Sequence, residues 1–236
     1  MPKLYFQGVT KIYGRRVVVD CACLAVAGGT IHALEGPNGS GKSTLFEIAA
    51  GFLKADKGIV VLERDDGRSL ILDVRPPSGR AADGLAYVPQ TPHFLAGLST
   101  LDNLKLAAPK SVPAIFAGLE SLRLTRLLDQ RPCDMAGSDR VFLALALAYV
   151  QEPQFLIVDE PFPGLSAFDL VHCVAILRRF RERGTGILLT DHNAHAILEI
   201  ADTISIIRDG SIVFSSSAQE ARASAEATKL YFRVNA

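Results

Sequence analysis

The chain has 236 residues, and its 25 Lys and Arg residues balance 25 Asp and Glu residues, which gives a formal net charge of zero. That length accommodates one α/β domain with a small inserted subdomain. The balanced charge does not indicate a nucleic-acid-binding surface, and no apolar run is long enough to span a bilayer. The four cysteines lack the spacing of zinc ligands and are interpreted as the reduced thiols of a cytosolic protein.

The first part of the chain predicts an antiparallel β layer. Residues 3–13 and 17–27 alternate apolar and polar side chains, which is typical of a half-buried hairpin, here with Tyr13 at its tip. Three shorter β runs cover residues 58–62, 69–72 and 85–88. The apolar stretch at residues 30–34 predicts a further, buried strand.

A glycine-rich segment lies between that buried strand and a helical pattern at residues 45–50. It consists of Gly36, Pro37, Asn38, Gly39, Ser40, Gly41, Lys42, Ser43 and Thr44. The segment fits the phosphate-binding pattern G-x-x-x-x-G-K-[ST], in which glycines let backbone N–H groups point at a polyphosphate. Lys42 can reach the β- and γ-phosphates, and the Ser43 hydroxyl is placed to ligate Mg²⁺. A chance glycine-rich turn is the alternative, which the flanking strand and helix disfavour.

Helical patterns replace β patterns after Gln90. Residues 100–107 and 112–131 have helical spacing, and the almost wholly apolar residues 138–150 predict a helix that is buried on all sides. This stretch predicts a small helical subdomain. Strands and helices then alternate. The predicted strands are residues 155–158 and 186–190, the predicted helices are residues 167–183, 193–201 and 217–230, and residues 203–207 and 211–215 flank the hairpin signal Asp209-Gly210.

Polar side chains follow three of the predicted strands, at the edge where α/β proteins bind ligands. Asp159 would hold Mg²⁺ there, and Glu160 would act as a general base for water. Gln90 could contact both the Mg²⁺ and the attacking water, and His192 could donate a hydrogen bond to the γ-phosphate. The alternatives are a polar turn at Asp159, a solvated loop amide at Gln90 and a helix start capped by Asp191.

The order of the phosphate-binding loop, Gln90, the Asp159–Glu160 pair and His192 resembles the ATP-binding subunit of an ABC transporter. The resemblance covers essentially the whole chain and implies an α/β fold of the P-loop ABC-type ATPase class, with an antiparallel β layer and an inserted helical subdomain. It implies that residues 1–90 and 141–236 form the catalytic core and that residues 91–140 form the helical subdomain that docks membrane subunits. Tyr13 matches the aromatic residue that stacks on adenine.

The sequence Asp-Glu-Pro-Phe at 159–162 and the sequence Thr-Asp-His-Asn at 190–193 are most similar to the bacterial ATPases for lipopolysaccharide export and branched-chain amino-acid uptake. Residues 161–166 match the loop that crosses to a second protomer, with Ser166 where the family usually has Asp. This similarity is an analogy that does not identify a substrate.

The chain departs from the family at the signature segment, which usually reads Leu-Ser-Gly-Gly-Gln. That place is held by Met135, Ala136, Gly137, Ser138 and Asp139. In the family the signature of one subunit binds the γ-phosphate at the loop of the other, so Ala136, Gly137 and Ser138 are the expected nucleotide contacts. Ala136 lacks the serine hydroxyl, and one such hydrogen bond is worth about 1.5–3 kcal/mol. A heterodimer with a partner that has a full signature and a homodimer with two slowed sites both remain open.

The resemblance implies an ATPase that uses ATP and Mg²⁺, has no membrane span, and lies on the cytoplasmic face of the cell membrane bound to separate transmembrane permease subunits. A soluble ABC-type ATPase without a transport role and a nucleotide-sensing regulatory subunit are the alternatives. An unrelated P-loop kinase or GTPase is disfavoured by Gln90 and His192, and no Asn-Lys-x-Asp motif for guanine occurs. No nucleic-acid partner is expected.

Overall fold

The protein is described by a computed structural model that covers residues 1–108 and 110–223. Its strands form two sheets in this part of the chain. They are β1 (Lys3–Tyr13), β2 (Arg16–Ala27), β3 (Ile31–Glu35), β4 (Lys57–Glu63), β5 (Ser69–Ile71), β6 (Leu85–Val88), β7 (Phe155–Asp159), β8 (Gly186–Thr190), β9 (Thr203–Arg208) and β10 (Ser211–Ser217).

The first sheet is antiparallel and has the order β2-β1-β4-β5. The predicted hairpin is confirmed, because Lys3 pairs with Ala27 and Tyr13 pairs with Arg16. Irregularities in the register of β1 and β2 bend the strands between Phe6 and Ile12. Tyr13 therefore lies at the end of the hairpin, where its side chain is 47% exposed.

The second sheet has the order β10-β9-β3-β8-β7-β6 and is parallel except for the β9–β10 hairpin. Asp209 and Gly210, both with positive φ, make the turn of that hairpin as predicted. Because β3, β6, β7 and β8 run in one direction, the segments after all four strands meet at one edge of the sheet. The phosphate-binding loop, Gln90, the Asp159–Glu160 pair and His192 all lie at this edge.

Helices cover both faces of the parallel sheet. They are α1 (Lys42–Ala50), α2 (Pro77–Ala82), α3 (Thr100–Ala107), α4 (Val112–Ser121), α5 (Gly137–Val150), α6 (Ala167–Glu182), α7 (Ala194–Ile200) and α8 (Ala218–Ala223). Alternate strand residues divide the core. Leu34, Phe155 and Ile157 pack toward α1 and the antiparallel sheet, whereas Ala33 and Leu156 pack toward the helices of the other face.

The predicted helix over residues 112–131 is wrong in its second half. The helix α4 ends at Ser121, Arg123 has a φ of 58°, and a 3₁₀ turn follows at Thr125–Asp129. The leucine spacing continues past the end of the helix because Leu124 and Leu127 turn back into the same core. The predicted final helix over 217–230 begins at Ala218, and its residues from 224 onward lie outside the described residues. The division into a core and a helical subdomain at 91–140 stays a prediction.

The C-terminal end of α1 is held by a buried cation from α2. Arg80 is 3% exposed. Its Nη1 donates to the carbonyl oxygens of Ile48 and Ala49, the latter at 2.7 Å, and its Nε donates to the Arg75 carbonyl oxygen at 3.0 Å. The last turn of α1 has no basic residue of its own, so Arg80 supplies the positive charge that the carbonyl end of a helix favours.

We expect Arg80→Ala to lower the free energy of unfolding by about 2–4 kcal/mol, because it removes the Arg80 donor from the Ala49 carbonyl group and one of the two donors from the Ile48 carbonyl group. The free energy of unfolding of Arg80→Lys should lie between those of the wild type and Arg80→Ala, since an ammonium cannot reproduce the planar fork of a guanidinium. Urea unfolding measures both. Arg178→Ala is the matched control. Arg178 and its partner Glu199 are both about half exposed, so the loss of this surface pair should cost about 1 kcal/mol or less. Equal losses for the two alanine variants would contradict this role of Arg80.

Candidate functional site

The phosphate-binding loop is shaped by glycines at points where backbones nearly touch. A Cβ at Gly36 would lie 2.2 Å from the carbonyl oxygen of Ile207, and a Cβ at Gly41 would lie 2.6 Å from that of Val18. Gly41 also has a φ of 106°, which side chains disfavour. The loop therefore has room for backbone alone at these two positions.

The helix α1 begins within the last three residues of this loop, and its N-terminal N–H groups are not capped by a side chain. Its N-cap is Gly41, no side chain caps it, and its first turn contains no acidic residue. The first N–H groups of a helix have no intrahelical partners and attract anions. Lys42 is 6% exposed, and its Nζ donates to the carbonyl oxygens of Gly36 at 2.6 Å and Pro37 at 3.2 Å. The ammonium thus curls back over the loop.

An open pocket of about 340 Å³ brings several predicted residues together. It is lined by Tyr13, Arg16, Val18, Asn38, Gly39, Gly41, Lys42, Ser43, Thr44 and Glu160. Tyr13 and Glu160 are far apart in sequence and lie at the same cavity as the loop. Arg16 was not singled out by the sequence, because it belongs to the Gly14-Arg15-Arg16 turn that was interpreted only as a hairpin connection. Its cross-strand pairing with Tyr13 could have indicated its position.

Three of the predicted residues are in direct contact at the carboxyl edge of the parallel sheet. Gln90 Nε2 donates to Glu160 Oε2 at 2.6 Å, and His192 Nε2 lies 2.9 Å from Glu160 Oε1. Glu160 has a φ of 47°, and its N–H donates to the Thr190 carbonyl oxygen at 2.9 Å. Each oxygen of the Glu160 carboxyl therefore has one partner, and the two partners come from the segments that follow β6 and β8.

Asp159 lies beside this group at the end of β7 and is 3% exposed. Burial raises the pKa of its carboxyl, and a hydrogen bond from Ser43 opposes that shift. Its Oδ1 is buried and has no hydrogen-bond partner within the described part of the chain. Ser43 and Asp159 thus bring a hydroxyl and a carboxyl together between the helix α1 and the sheet.

These features fit a bound nucleotide with Mg²⁺. The unpartnered Asp159 Oδ1 and the neighbouring Ser43 hydroxyl are oxygen ligands of the kind that Mg²⁺ prefers. The glycine cradle and the uncapped start of α1 suit phosphate oxygens. Ser40 Oγ, within the loop itself, is also buried without a partner among the described residues.

The residues of the predicted signature lie elsewhere in the chain's own structure. Ala136 is the N-cap of α5 and makes no side-chain cap, and Gly137 and Ser138 begin that helix. None of the three lines the pocket at the phosphate-binding loop. Asp139 forms an ion pair with Arg126, with Nη1 and Oδ1 2.6 Å apart, so its negative charge is compensated.

Arg140 connects this segment to the one that follows Gln90. Its Nη1 donates to the Pro132 carbonyl oxygen at 3.0 Å, and its Nη2 donates to the Pro92 carbonyl oxygen at 3.1 Å. The guanidinium also lies 5.1 Å from the ring centroid of Phe94. One side chain thus joins the beginning and the end of the predicted helical subdomain, residues 91–140.

A second cavity, of about 590 Å³, lies between the parallel sheet and α5. Phe52, Tyr87, Phe94 and Leu147 contribute most of its apolar character, with Glu47 and Gln151 among its polar lining residues. Phe52 is 63% exposed and contacts the Tyr87 ring with 5.9 Å between the centroids. An exposed aromatic ring at an open groove is typical of a surface that receives a partner. Within the described residues, no helix is both long and apolar enough to cross a membrane.

Comparison with known proteins agrees with this geometry. The ABC transporter family matches residues 21–163, which is more than half of the chain. The lipopolysaccharide export system ATP-binding protein LptB of Acidithiobacillus ferridurans is 34% identical over 225 residues, covering 92% of this chain and 91% of that protein. The LptB of Escherichia coli K12 is 31% identical over 222 residues and covers 90% of each chain.

Solved structures agree on the fold. A nucleotide-free ATP-binding cassette from an ABC transporter superposes with a TM-score of 0.85 at 22% identity, covering 98% of this chain and 99% of that one. The ADP conformation of another such cassette gives a TM-score of 0.84 at 23% identity, with the same coverage. The predicted fold class is therefore confirmed, and the chain belongs to the ABC transporter family, as one of its ATP-binding subunits.

Proposed function

We propose that this chain binds and hydrolyses ATP as the peripheral ATPase subunit that powers an ABC membrane transporter. The observation that carries the proposal is the placement of Glu160 at the pocket of the phosphate-binding loop, with its carboxyl held by both Gln90 and His192. A nucleotide-binding loop alone would support binding. A positioned carboxylate beside it supports hydrolysis.

The loop residues would bind the polyphosphate. Backbone N–H groups at residues 36–44 and the positive end of α1 face the phosphates, and Lys42 leaves its carbonyl contacts to reach the β- and γ-phosphates. Tyr13, at the tip of its hairpin, would stack on the adenine. Arg16 lies between these two and adds a cation beside the phosphates.

The chemistry would centre on Glu160. Its carboxylate takes a proton from the water that attacks the γ-phosphorus as the bond to the β–γ bridging oxygen breaks, and ADP leaves with that oxygen. Gln90 orients the carboxylate and the water, and His192 binds the γ-phosphate. Ser43, Asp159 and Gln90 would hold Mg²⁺, which when bound neutralises charge on the phosphate oxygens.

We expect Glu160→Gln to reduce ATP turnover on the order of a hundredfold or more while ATP binding is kept, because the amide cannot accept the proton. Phosphate release and equilibrium binding of a fluorescent ATP analogue measure the two properties. Glu120→Gln, an exposed change of the same chemistry on α4, is the control and should behave as wild type. If Glu160→Gln hydrolyses ATP at the wild-type rate, Glu160 is not the base. If the wild type binds ATP but never turns it over, a nucleotide-sensing subunit is the better description.

The position of residues 136–138 supports the expected second ATP-binding subunit. They lie outside the pocket of their own chain, and we propose that a second copy or a related chain brings such a segment to the phosphate-binding loop. Ala136 offers no hydroxyl, while the Asp139–Arg126 ion pair removes one source of repulsion toward phosphate. A homodimer and a heterodimer are both compatible with these facts.

The solution mass of Glu160→Gln with and without Mg-ATP separates the two assemblies. We expect ATP to convert monomer to dimer if the altered signature segment still closes over the nucleotide, because the variant accumulates the bound state. A protein that binds ATP yet stays monomeric points to a partner cassette or a membrane subunit that supplies what residues 135–139 lack. Restoring the hydroxyl with Ala136→Ser should then increase ATP-dependent dimerisation, and the absence of any gain would exclude Ala136 as the cause.

The groove lined by Phe52, Tyr87 and Phe94 is the proposed docking place for separate transmembrane permease subunits, which would put the chain on the cytoplasmic face of the cell membrane. Apolar rings at an open groove suit a short amphipathic helix projecting from such a subunit. The groove also includes Pro89, next to Gln90, so an occupant would lie close to the reacting group.

We expect Phe52→Glu to abolish most association with the cell's own membranes, because a carboxylate replaces an exposed ring at the apolar groove. Flotation of the protein with isolated membranes measures this, and the ATPase rate of the isolated chain should stay within about twofold of wild type. Val74→Glu introduces the same charge at a site that is 82% exposed and outside the groove. If Phe52→Glu and Val74→Glu both associate with the membranes as the wild type does, the docking surface lies elsewhere.

A further inference from the structure

One carboxyl at the nucleotide site has no part in the scheme above. Glu35 is the last residue of β3, directly before Gly36, and it is 3% exposed. Its carboxyl accepts a backbone hydrogen bond from Asp191, while its Oε1 has no hydrogen-bond partner among the described residues. A half-satisfied carboxyl this deep is costly for the fold, which calls for a reason in the function of the site.

The bond from Asp191 places Glu35 at the junction of the site's segments. The Asp191 carboxylate accepts the N–H of Phe162 at 2.8 Å and the N–H of Asn193 at 2.8 Å. Phe162 follows Glu160 by two residues, and Asn193 follows His192. Glu35 therefore holds the residue that ties together the segments carrying the proposed base and the proposed γ-phosphate contact.

The charges around Glu35 come from three elements. Lys42 faces it from α1, Glu160 from the segment after β7 and Asp191 from the segment after β8. The Cys173 thiol of α6 is close to Asp191. Among the carboxylates that act on the Lys42 ammonium, Glu35 has the largest effect. An ionised Glu35 would thus compete with phosphate for the cation that the site provides.

Burial raises the pKa of Glu35 to about 8, with Asp191 and Glu160 adding to the shift, while the Asp191 N–H and Lys42 oppose it. The carboxyl is then mostly neutral at pH 7 and ionises as the pH rises through 8. In the neutral form it keeps a carbonyl oxygen to accept the Asp191 N–H and places no full charge beside Lys42.

We propose that Glu35 is a positioning residue of the nucleotide site: it fixes the Asp191–His192 backbone, and a negative charge on its carboxyl weakens nucleotide binding by competing with phosphate for the Lys42 ammonium. The inference rests on the proposed nucleotide-binding function. ATP affinity would then depend on the protonation state of Glu35.

Equilibrium binding of the fluorescent analogue mant-ATP, in EDTA to prevent turnover, tests the electrostatic part between pH 7 and 9.5. We expect the wild-type Kd to rise roughly tenfold over this range, because each ionised Glu35 must regain a proton for tight binding. Glu35→Gln is neutral at every pH and keeps an acceptor oxygen. Its Kd should match wild type at pH 7 and rise less than about threefold by pH 9.5.

The outcomes distinguish a failure of the proposed nucleotide binding from a failure of the role proposed for Glu35. A wild type that does not bind mant-ATP at pH 7 overturns the nucleotide-binding function itself. A wild-type Kd that does not change with pH overturns the role of Glu35, as does a Glu35→Gln variant with the wild-type pH dependence. The latter result would assign the effect to Lys42, whose own pKa is lowered by burial. A tenfold weaker Glu35→Gln at pH 7 would mean that the ionised form is the active one.

Hydrogen exchange tests the positioning part without any readout of activity. Glu35→Leu is neutral like Glu35→Gln but offers no acceptor to the Asp191 N–H. We expect the amides of residues 191–193 to exchange at least tenfold faster in Glu35→Leu than in wild type, and Glu35→Gln to retain protection. The buried strand at residues 155–158 serves as the internal control for folding. Equal protection of residues 191–193 in both variants would show that Glu35 does not hold this segment.

Discussion

The fold of this chain depends on two points at which glycine backbone packs against another backbone. Gly36 lies against the Ile207 carbonyl group of β9, and Gly41 lies against the Val18 carbonyl group of β2. The Gly210 N–H also donates to the Ser40 carbonyl oxygen at 3.1 Å. The phosphate-binding loop is therefore held between the two sheets by contacts that no side chain larger than hydrogen permits. Its shape is a property of the packed protein, so little conformational entropy is left to lose when an anion binds.

The second constraint is a surplus of carboxyl groups around one lysine. Asp159, Asp191 and Glu35 are all buried, and burial raises the pKa of each. A polyphosphate would add further negative charge, which the Lys42 ammonium, the Arg16 guanidinium, the helix terminus and a divalent cation would balance. The same desolvation that makes these carboxyls poor anions lowers the pKa of Lys42. The protonation states of these side chains are thus coupled to the binding of a polyphosphate.

Much of the fold and of the site was accessible from sequence because the signals are local. The alternation of apolar and polar residues predicted both strands of the first hairpin. Residues 36–44 predicted a phosphate-binding loop, and the expected strand β3 precedes it and the expected helix α1 begins at its end. Leucine spacing failed at α4, since it cannot distinguish a continuing helix from a chain that reverses at Arg123 into the same core. Arg16 and Glu35 were missed because their positions depend on strand pairing and burial. The roles proposed for residues 136–138 would depend on a second chain, which a single sequence does not contain.

Arg140 mechanically connects the segment that follows Gln90 to the start of α5. Its guanidinium holds the carbonyl groups of Pro92 and Pro132 at 3.1 and 3.0 Å, on one rigid planar group at the first turns of α5. A displacement of Pro92 would strain or break its bond to Arg140, because the same guanidinium also binds the Pro132 carbonyl group. Pro92 lines the groove beside Gln90. A rearrangement of the groove therefore has to be accommodated by a side chain in the first turn of α5, next to residues 136–138.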